Sequence, residues 1–349
     1  MKRIGILFGQ ERSFPRALVE SINREGRVAV AEPVVVGGIG LDSPRRYDLI
    51  LDRISQDIPF YRAILKKAVV DGTIVVNNPF WWSADDKFFN NVVAQKVGVA
   101  VPKTVILPSN QHPPDTTSES MSNLVFPLEW DEMFQYIGFP AYFKPYSGGG
   151  WKSVYRVTNP DEFFAAYQDS GQHVMTLQEE IVFDQYFRCY AIGRKYVHIM
   201  QYDPRRPHHE RYVRGAAPID PALYQRVHDD CLKLMNALGY DFCTLEFAVR
   251  DGIPYAIDFL NPAPDAAVES VGEENFQWVV ETATKWLLER VEQPAEPLAD
   301  YRWQTFLAGG EPLASAPPAK KTNGHSRAKK PASPREPSPG ASSRPRRDA

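Results

Sequence analysis

Cysteine is scarce in this chain of 349 residues. There are three, Cys189, Cys231 and Cys243, and they are widely spaced and odd in number. This pattern argues against both a disulfide framework and a zinc site, which need paired or regularly spaced thiols. It is typical of packed, reduced thiols and therefore favours a cytoplasmic location.

Long apolar runs are also missing. No stretch approaches the roughly 20 apolar residues of a membrane span, and the start, MKRIGILFGQ, does not resemble a signal peptide. The sequence shows no repeat of solenoid period and no Ser-His or Cys-His pattern that indicates a covalent nucleophile. A soluble protein without membrane partners is expected, and a hydrophobic content of 43% predicts a large buried core.

Charge is distributed unevenly along the chain. Residues 311–349 carry nine Lys or Arg against three acidic residues, a charge of +6 in a total of −3, which leaves −9 for residues 1–310. This tail is rich in Pro, Ser and Ala and has almost nothing apolar to bury, so we expect it to be disordered. Its basic charge allows weak binding to a polyanion or a protein partner, and simple solubilisation is the alternative.

Strand and helix signals alternate through the first hundred residues. RIGILFG and TIVVNNP are typical of strands, and SFPRALVESINREG of a helix that ends at Gly26. This alternation predicts a small α/β layer with a mainly parallel sheet. SADDKFFNNVVAQKVG then predicts a helix with Ser83 as its cap and Gly98 at its end.

A run of three glycines, Gly148, Gly149 and Gly150, follows the strand-like segment FPAYFKP, which contains Lys144. SVYRV after the glycines predicts a second strand, so the glycines form the tip of a hairpin. Glycine lets backbone N–H groups approach a ligand closely, and phosphate is the expected ligand. An ordinary flexible turn is the alternative, since the common nucleotide-binding glycine motifs require a helix directly after the loop.

The polar residues that follow occur in a distinctive order. A helix lysine (Lys87) is followed by VP, by Lys144 with its glycine loop, and by a strand ending in LQEEI; next come Arg188 on a predicted hairpin, VRG after a loop, and a second hairpin with acidic residues. This order resembles the ATP-grasp superfamily, in particular the branch of bacterial glutathione synthetase and ribosomal-protein S6 glutamate ligase. The resemblance runs from about residue 74 to residue 290.

The resemblance implies an α/β fold of four parts. These are an N-terminal pre-ATP-grasp α/β domain over 1–108, a small ATP-grasp subdomain with the glycine-rich loop over 109–185, a large subdomain with the metal and substrate sites over 186–310, and the disordered tail over 311–349. The sequence leaves open whether the protein forms homo-oligomers.

ATP is the nucleotide that the resemblance implies. Lysines on different elements place point charges on its phosphates, while a flexible glycine loop covers them and excludes water. In the family, the strand that matches TLQEEIV holds adenine. An acid that contacts ribose often lies two residues before the hairpin arginine, but here that position is Tyr186. The ATP-contacting residues implied are Lys87, Lys144, Gly148, Gly149, Gly150, Glu179, Glu180 and Val182, with Asp184 as the candidate for ribose.

Three hard oxygen ligands lie on the last predicted hairpin. Glu246, Asp258 and Asn261 are the residue types that Mg²⁺ prefers when it bridges phosphates, and Mn²⁺ is an alternative metal. The family ends this set with Glu-x-Asn, whereas this chain has Asp-x-x-Asn. The extra residue leaves open a site for one metal rather than two, and also a hairpin that binds no metal.

The function implied is an ATP- and Mg²⁺-dependent ligase that joins a small carboxylate to an amine through an acyl phosphate. Arg188 and Arg214 match arginines that grip substrate, and the planar guanidinium suits a carboxylate or a phosphate. Two other functions stay open: a small-molecule kinase on the same fold, and an ATP-binding regulatory protein with a degenerate metal site.

Overall fold

The structure, a computed structural model, describes residues 1–81, 86–207, 210–213, 215 and 217–295. This part of the chain contains three four-stranded sheets and eight α-helices. None of those helices is long and apolar enough to cross a membrane. The basic tail lies outside the described residues, so its predicted disorder stays a prediction.

The first sheet is parallel throughout, as the alternation of strand and helix signals predicts. Its elements are β1 (Lys2–Leu7), α1 (Phe14–Glu25), β2 (Ala29–Pro33), β3 (Leu49–Asp52), α2 (Pro59–Val70) and β4 (Ile74–Val76). The strand order is β2-β1-β3-β4. Helix α1 ends where Gly26 takes a left-handed φ of 55°, and its residues Leu18 and Ile22 are fully buried in the core that includes Ile4 of β1.

The second sheet is antiparallel and carries the glycine loop. After α3 (Lys87–Lys96), its elements are β5 (Thr104–Leu107), a short 3₁₀ helix (Ser118–Met121), α4 (Trp130–Ile137), β6 (Ala141–Pro145), β7 (Tyr155–Val157), α5 (Pro160–Asp169) and β8 (Met175–Glu179). The order is β5-β8-β6-β7, so β5, which falls within the range 1–108, pairs with β8. Strands β6 and β7 form the predicted hairpin.

The third sheet is antiparallel, with the order β10-β9-β11-β12. Its elements and the helices beside it are β9 (Gln185–Ile192), β10 (Tyr196–Gln201), α6 (Pro221–Leu238), β11 (Phe242–Arg250), β12 (Ile253–Asn261), α7 (Val268–Val271) and α8 (Glu273–Val291). Helix α6 belongs to one hydrophobic cluster of this sheet, which buries all three free cysteines. Helix α8 belongs to another, together with α1 and the first sheet.

Two local features define the segment between β4 and α3. Asn77 joins the first sheet to the third, because its Oδ1 accepts from the backbone N of Asp241 (2.8 Å) and of Phe242 (2.9 Å) and its Nδ2 donates to Phe242 O (2.7 Å). Helix α3 begins at Lys87, and its cap is Asp86, whose carboxylate accepts from Phe89 N. The predicted cap, Ser83, lies outside the described residues and is too far upstream of this start. Helix α3 therefore begins later than the sequence pattern indicates.

Candidate nucleotide and metal site

A cavity of about 500 Å³ is lined by residues of the second and third sheets, a size typical of small-molecule sites. Strands β6, β8, β9, β11 and β12, the glycine loop and the start of α3 contribute to it, together with one residue beside α2. The polar and charged residues that line it include Asp57, Lys87, Lys144, Ser147, Lys152, His173, Gln178, Glu179, Glu180, Tyr186, Glu246 and Asp258.

Lys87 and Lys144 converge on strand β12, although 57 positions separate them in sequence. As the first residue of α3, Lys87 donates from Nζ to Asp258 Oδ1 (2.6 Å), while Lys144 at the end of β6 directs its Nζ to Ile257 O (3.5 Å). Burial and the Lys87 ammonium lower the pKa of Lys144 to about 8, although the Asp258 and Glu246 carboxylates oppose this effect. Two cations thus meet at one end of the cavity.

The glycine loop between β6 and β7 lines the same cavity. Gly148 (φ 83°) and Gly150 (φ 75°) have left-handed backbones, and no atom lies within 4 Å of where a Cβ would be built at either. The requirement for glycine there is therefore conformational rather than steric. Trp151 continues the loop, is 58% exposed, and lies beneath the Arg211 guanidinium, whose Cζ is 5.6 Å from its ring centroid.

Glu246 and Asp258 lie directly opposite each other on β11 and β12. The pairing then skips Leu260, which has a φ of 68°, so that Asn261 pairs with Thr244. This bulge absorbs the extra residue of the Asp-x-x-Asn motif and leaves Asp258 and Asn261 both exposed on β12, whereas Phe259 and Leu260 are buried. Asn261 does not line the cavity, and its Oδ1 accepts from Ala263 N (3.1 Å).

Both carboxylates of this hairpin have cation partners. Arg188 Nη1 donates to Glu246 Oε1, and the buried Tyr186 hydroxyl donates to Glu246 Oε2 (2.5 Å). Desolvation opposes the charge of Asp258, but the Lys87 and Lys144 ammonium groups outweigh it and lower the pKa of Asp258. Two adjacent carboxylates fit a single hard cation such as Mg²⁺. No group of three or more His, Cys, Asp or Glu that could hold a metal occurs among the described residues.

The segment predicted to hold adenine is only partly in the cavity. Glu179 and Glu180 line it, and each has an arginine partner: Arg250 Nη1 to Glu179 Oε1 (2.8 Å) and Arg156 Nη2 to Glu180 Oε2 (2.8 Å). Beyond the end of β8, the buried Ile181 faces the cavity instead of Val182, which is 72% exposed.

Of the other predicted residues, Asp184 is exposed and does not line the cavity. Arg188 contacts Glu246 on the neighbouring strand, and Arg214 lies outside the described residues. Tyr186 and Asp57 are among the lining residues that have no role in the sequence prediction. Tyr186 occupies the position where the family has an acid, which is the signal that marks it out, whereas no sequence pattern singles out Asp57.

Comparison with known proteins identifies the fold. No protein-family model matches the chain, and no curated protein matches it either. Among solved structures, a RimK-domain ATP-grasp protein from Sphaerobacter thermophilus superimposes with a TM-score of 0.57 at 16% identity, covering 80% of this chain and 98% of that chain.

D-alanine–D-alanine ligase from Bacillus anthracis complexed with ATP has a TM-score of 0.57 at 16% identity, over 83% of this chain and 98% of that chain. The ATP-grasp ligase PsnB, complexed with minimal precursor, Mg and ADP, has a TM-score of 0.56 at 14% identity, over 83% of this chain and 98% of that chain. At these identities the likeness establishes a shared fold.

Proposed function

We propose that this chain, which has the ATP-grasp fold, is an ATP- and Mg²⁺-dependent ligase that joins a carboxylate to an amine. The observation that carries the proposal is the convergence of Lys87, Lys144, Glu246 and Asp258 at one cavity that the glycine loop also lines. Cations for the phosphates and carboxylates for a metal are thereby brought together from four separate elements.

In this proposal ATP occupies the cavity with its phosphates near Lys87 and Lys144. Their ammonium groups offset phosphate charge, and the N–H groups of residues 148–150 cover the outer phosphates. The base lies toward β8, where Ile181 and Phe183 supply apolar surface and Gln178 supplies an amide. Ribose contact by Asp184 is not part of the proposal, because that side chain does not line the cavity.

Glu246 on β11 and Asp258 on β12 would hold the metal. Asn261, also on β12, is a third candidate ligand. Mg²⁺ when bound supplies charge neutralisation on the phosphates. Tyr186 and Arg188 orient Glu246 by donating to its two oxygens. When ATP binds, the Lys87 ammonium group would leave Asp258 and contact the phosphates instead.

The reaction would then follow two steps. A carboxylate oxygen of the substrate attacks the γ-phosphorus of ATP, the bond to the β-phosphate oxygen breaks, and ADP leaves with the bonding pair. The ammonium group of the second substrate loses one proton to solvent, and the resulting amine nitrogen attacks the acyl carbon. Phosphate leaves with its electron pair, and the nitrogen loses a second proton to give the amide. Arg188, with Arg214, would stabilise negative charge on the tetrahedral intermediate, so catalysis consists of positioning and electrostatics.

A product screen tests this function. The full chain is incubated with ATP, Mg²⁺ and a metabolite extract, and the products are identified by mass spectrometry. We expect ADP, phosphate and a new amide. ADP with a phosphorylated small molecule and no amide would instead show a kinase. ATP binding without ADP release across the screen would support a regulatory protein.

A further inference from the structure

Five carboxylates line the cavity, and four of them are paired with a cation of the same chain. The pairs are Glu179 with Arg250, Glu180 with Arg156, Glu246 with Arg188, and Asp258 with Lys87. The fifth carboxylate, Asp57, has no Lys or Arg partner in the part of the chain that the structure describes. Asp57 is therefore the one acid of this cavity whose charge the described protein leaves uncompensated.

Asp57 is exposed in the loop between β3 and α2, and it is the only cavity-lining residue from the described range 1–81. Its carboxylate accepts one long hydrogen bond, from Gln56 Nε2 (3.3 Å). The residue that caps α2 is Ile58, and no side-chain hydrogen bond caps this helix. A carboxylate can accept several hydrogen bonds, so Asp57 retains unused acceptor capacity beside the cavity.

The chemistry around Asp57 suits an ammonium group better than a metal ion. Mg²⁺ and Ca²⁺ need several oxygen ligands, whereas within the described residues the Asp57 side chain has one side-chain amide partner and shares no hydrogen bond or ion pair with a second carboxylate. An ammonium group needs one charged acceptor within hydrogen-bonding distance. Lys87, Lys144 and Lys152 also line the cavity and repel a cation until ATP phosphates neutralise them. Nucleotide should therefore strengthen binding of an amine.

We infer that Asp57 binds the ammonium group of the amine substrate and so forms the amine subsite, an inference that rests on the proposed ligase function. The N-terminal sheet then contributes a specificity-determining residue, while the second and third sheets hold the nucleotide. In the described part of the chain, the side-chain partners of Glu246 and Asp258 in hydrogen bonds and ion pairs are Arg188, Tyr186 and Lys87, and Asp57 is not among them. Its loss should weaken amine binding without changing nucleotide binding.

The test measures binding, so it does not depend on turnover. Saturation-transfer NMR is recorded on the full chain with Mg²⁺ and a non-hydrolysable ATP analogue, using ethanolamine as the ammonium probe and ethylene glycol as its neutral counterpart. We expect transfer to ethanolamine and little to ethylene glycol. Asp57→Asn should weaken ethanolamine binding about tenfold, as loss of a charge-assisted hydrogen bond implies, and Asp57→Glu should retain it.

Asp42→Asn is the matched control, because Asp42 is an exposed acid of the same sheet domain that does not line the cavity. It should bind ethanolamine as the unchanged chain does. Equal binding by Asp57→Asn, equal signals for the two probes, or no ethanolamine signal in the unchanged chain would each overturn the inference. The ligase function fails separately, if the product screen yields no ATP-dependent amide.

Discussion

Lys144 changes its charge within a pH range that is easy to reach, because burial and Lys87 lower its pKa to about 8. Phosphate favours the charged lysine, so ATP binding above this pKa requires proton uptake. We expect the Kd for ATP without Mg²⁺ to be nearly constant below a pH of about 8 and to rise up to about tenfold per pH unit above it. Isothermal titration calorimetry across this range measures the effect.

Two variants of Lys144 separate its charge from its shape. Lys144→Met keeps most of the stem volume but removes the charge, and it should abolish measurable ATP binding while leaving the fold intact. Lys144→Arg stays charged throughout, so its Kd should not vary with pH in this range. A rise in Kd that persists in Lys144→Arg would mean that another group titrates, and Met at 144 with normal affinity would remove this residue from the site.

Asp258 and Asp265 make a matched pair that tests the metal hairpin. Asp258→Asn replaces a carboxylate of the proposed metal site by a neutral amide, so Mg²⁺-dependent turnover should fall by about a hundredfold or more, while metal-free nucleotide binding survives. Asp265 accepts from Ala267 N (2.9 Å) through Oδ1, a turn contact that an asparagine oxygen also makes. Asp265→Asn should therefore remain active.

The opposite results would be informative in steady-state assays of the two variants. An inactive Asp265→Asn beside an active Asp258→Asn would show that the proposed register of ligands is wrong. If both variants keep full Mg²⁺-dependent activity, the hairpin is not a metal site and the regulatory function is favoured.

The connection after β4 holds the first sheet against the third through one side chain. Asn77 makes three hydrogen bonds to Asp241 and Phe242 at the start of β11, and the two to Phe242 are buried. Asn77→Ala leaves these backbone groups without their partner, and we expect the free energy of unfolding to fall by about 2–4 kcal/mol. Urea denaturation measures this loss.

Asn78 is the control for this junction, since it is also buried and its side chain accepts, within the described residues, a local bond from Phe80 N (3.0 Å). Asn78→Ala should lower the free energy of unfolding by about 1 kcal/mol. Equal losses in the two variants would mean that Asn77 has no special role in joining the two sheets.

The chain as a whole combines an acidic body with a basic end, +6 over residues 311–349 against −9 over the rest. Because the composition of this tail predicts no buried core, deletion of residues 315–349 should leave the melting temperature and ATP turnover nearly unchanged. Differential scanning calorimetry and an ADP-release assay measure both. A drop of several degrees on truncation would show that the tail docks on the folded part.

Local patterns were sufficient for much of the architecture. The alternation of strands and helices predicts the parallel first sheet, and the segments around Lys144 and the glycines predict the β6–β7 hairpin. The pairing of Glu246 with Asp258 was only partly predictable. The register set by the turn pairs Arg250 with Ile253 and would place Ile257 opposite Glu246, but an irregularity between Glu246 and Phe247 brings Asp258 there instead. For the first sheet and the β6–β7 hairpin, short-range geometry leaves few alternatives.

Contacts between distant segments were not accessible in this way. The placement of Ile181 rather than Val182 in the cavity and the hydrogen bond from the Tyr186 hydroxyl to Glu246 depend on how separate parts of the chain align. The bulge at Leu260 lies within one hairpin, but residue spacing does not show where the extra residue is accommodated. The position of Asp57 beside the cavity depends on packing of the first sheet against the sheets that line it. Residue type and spacing record which groups carry charge, but the free energy that selects their neighbours comes from burial and pairing across the whole fold.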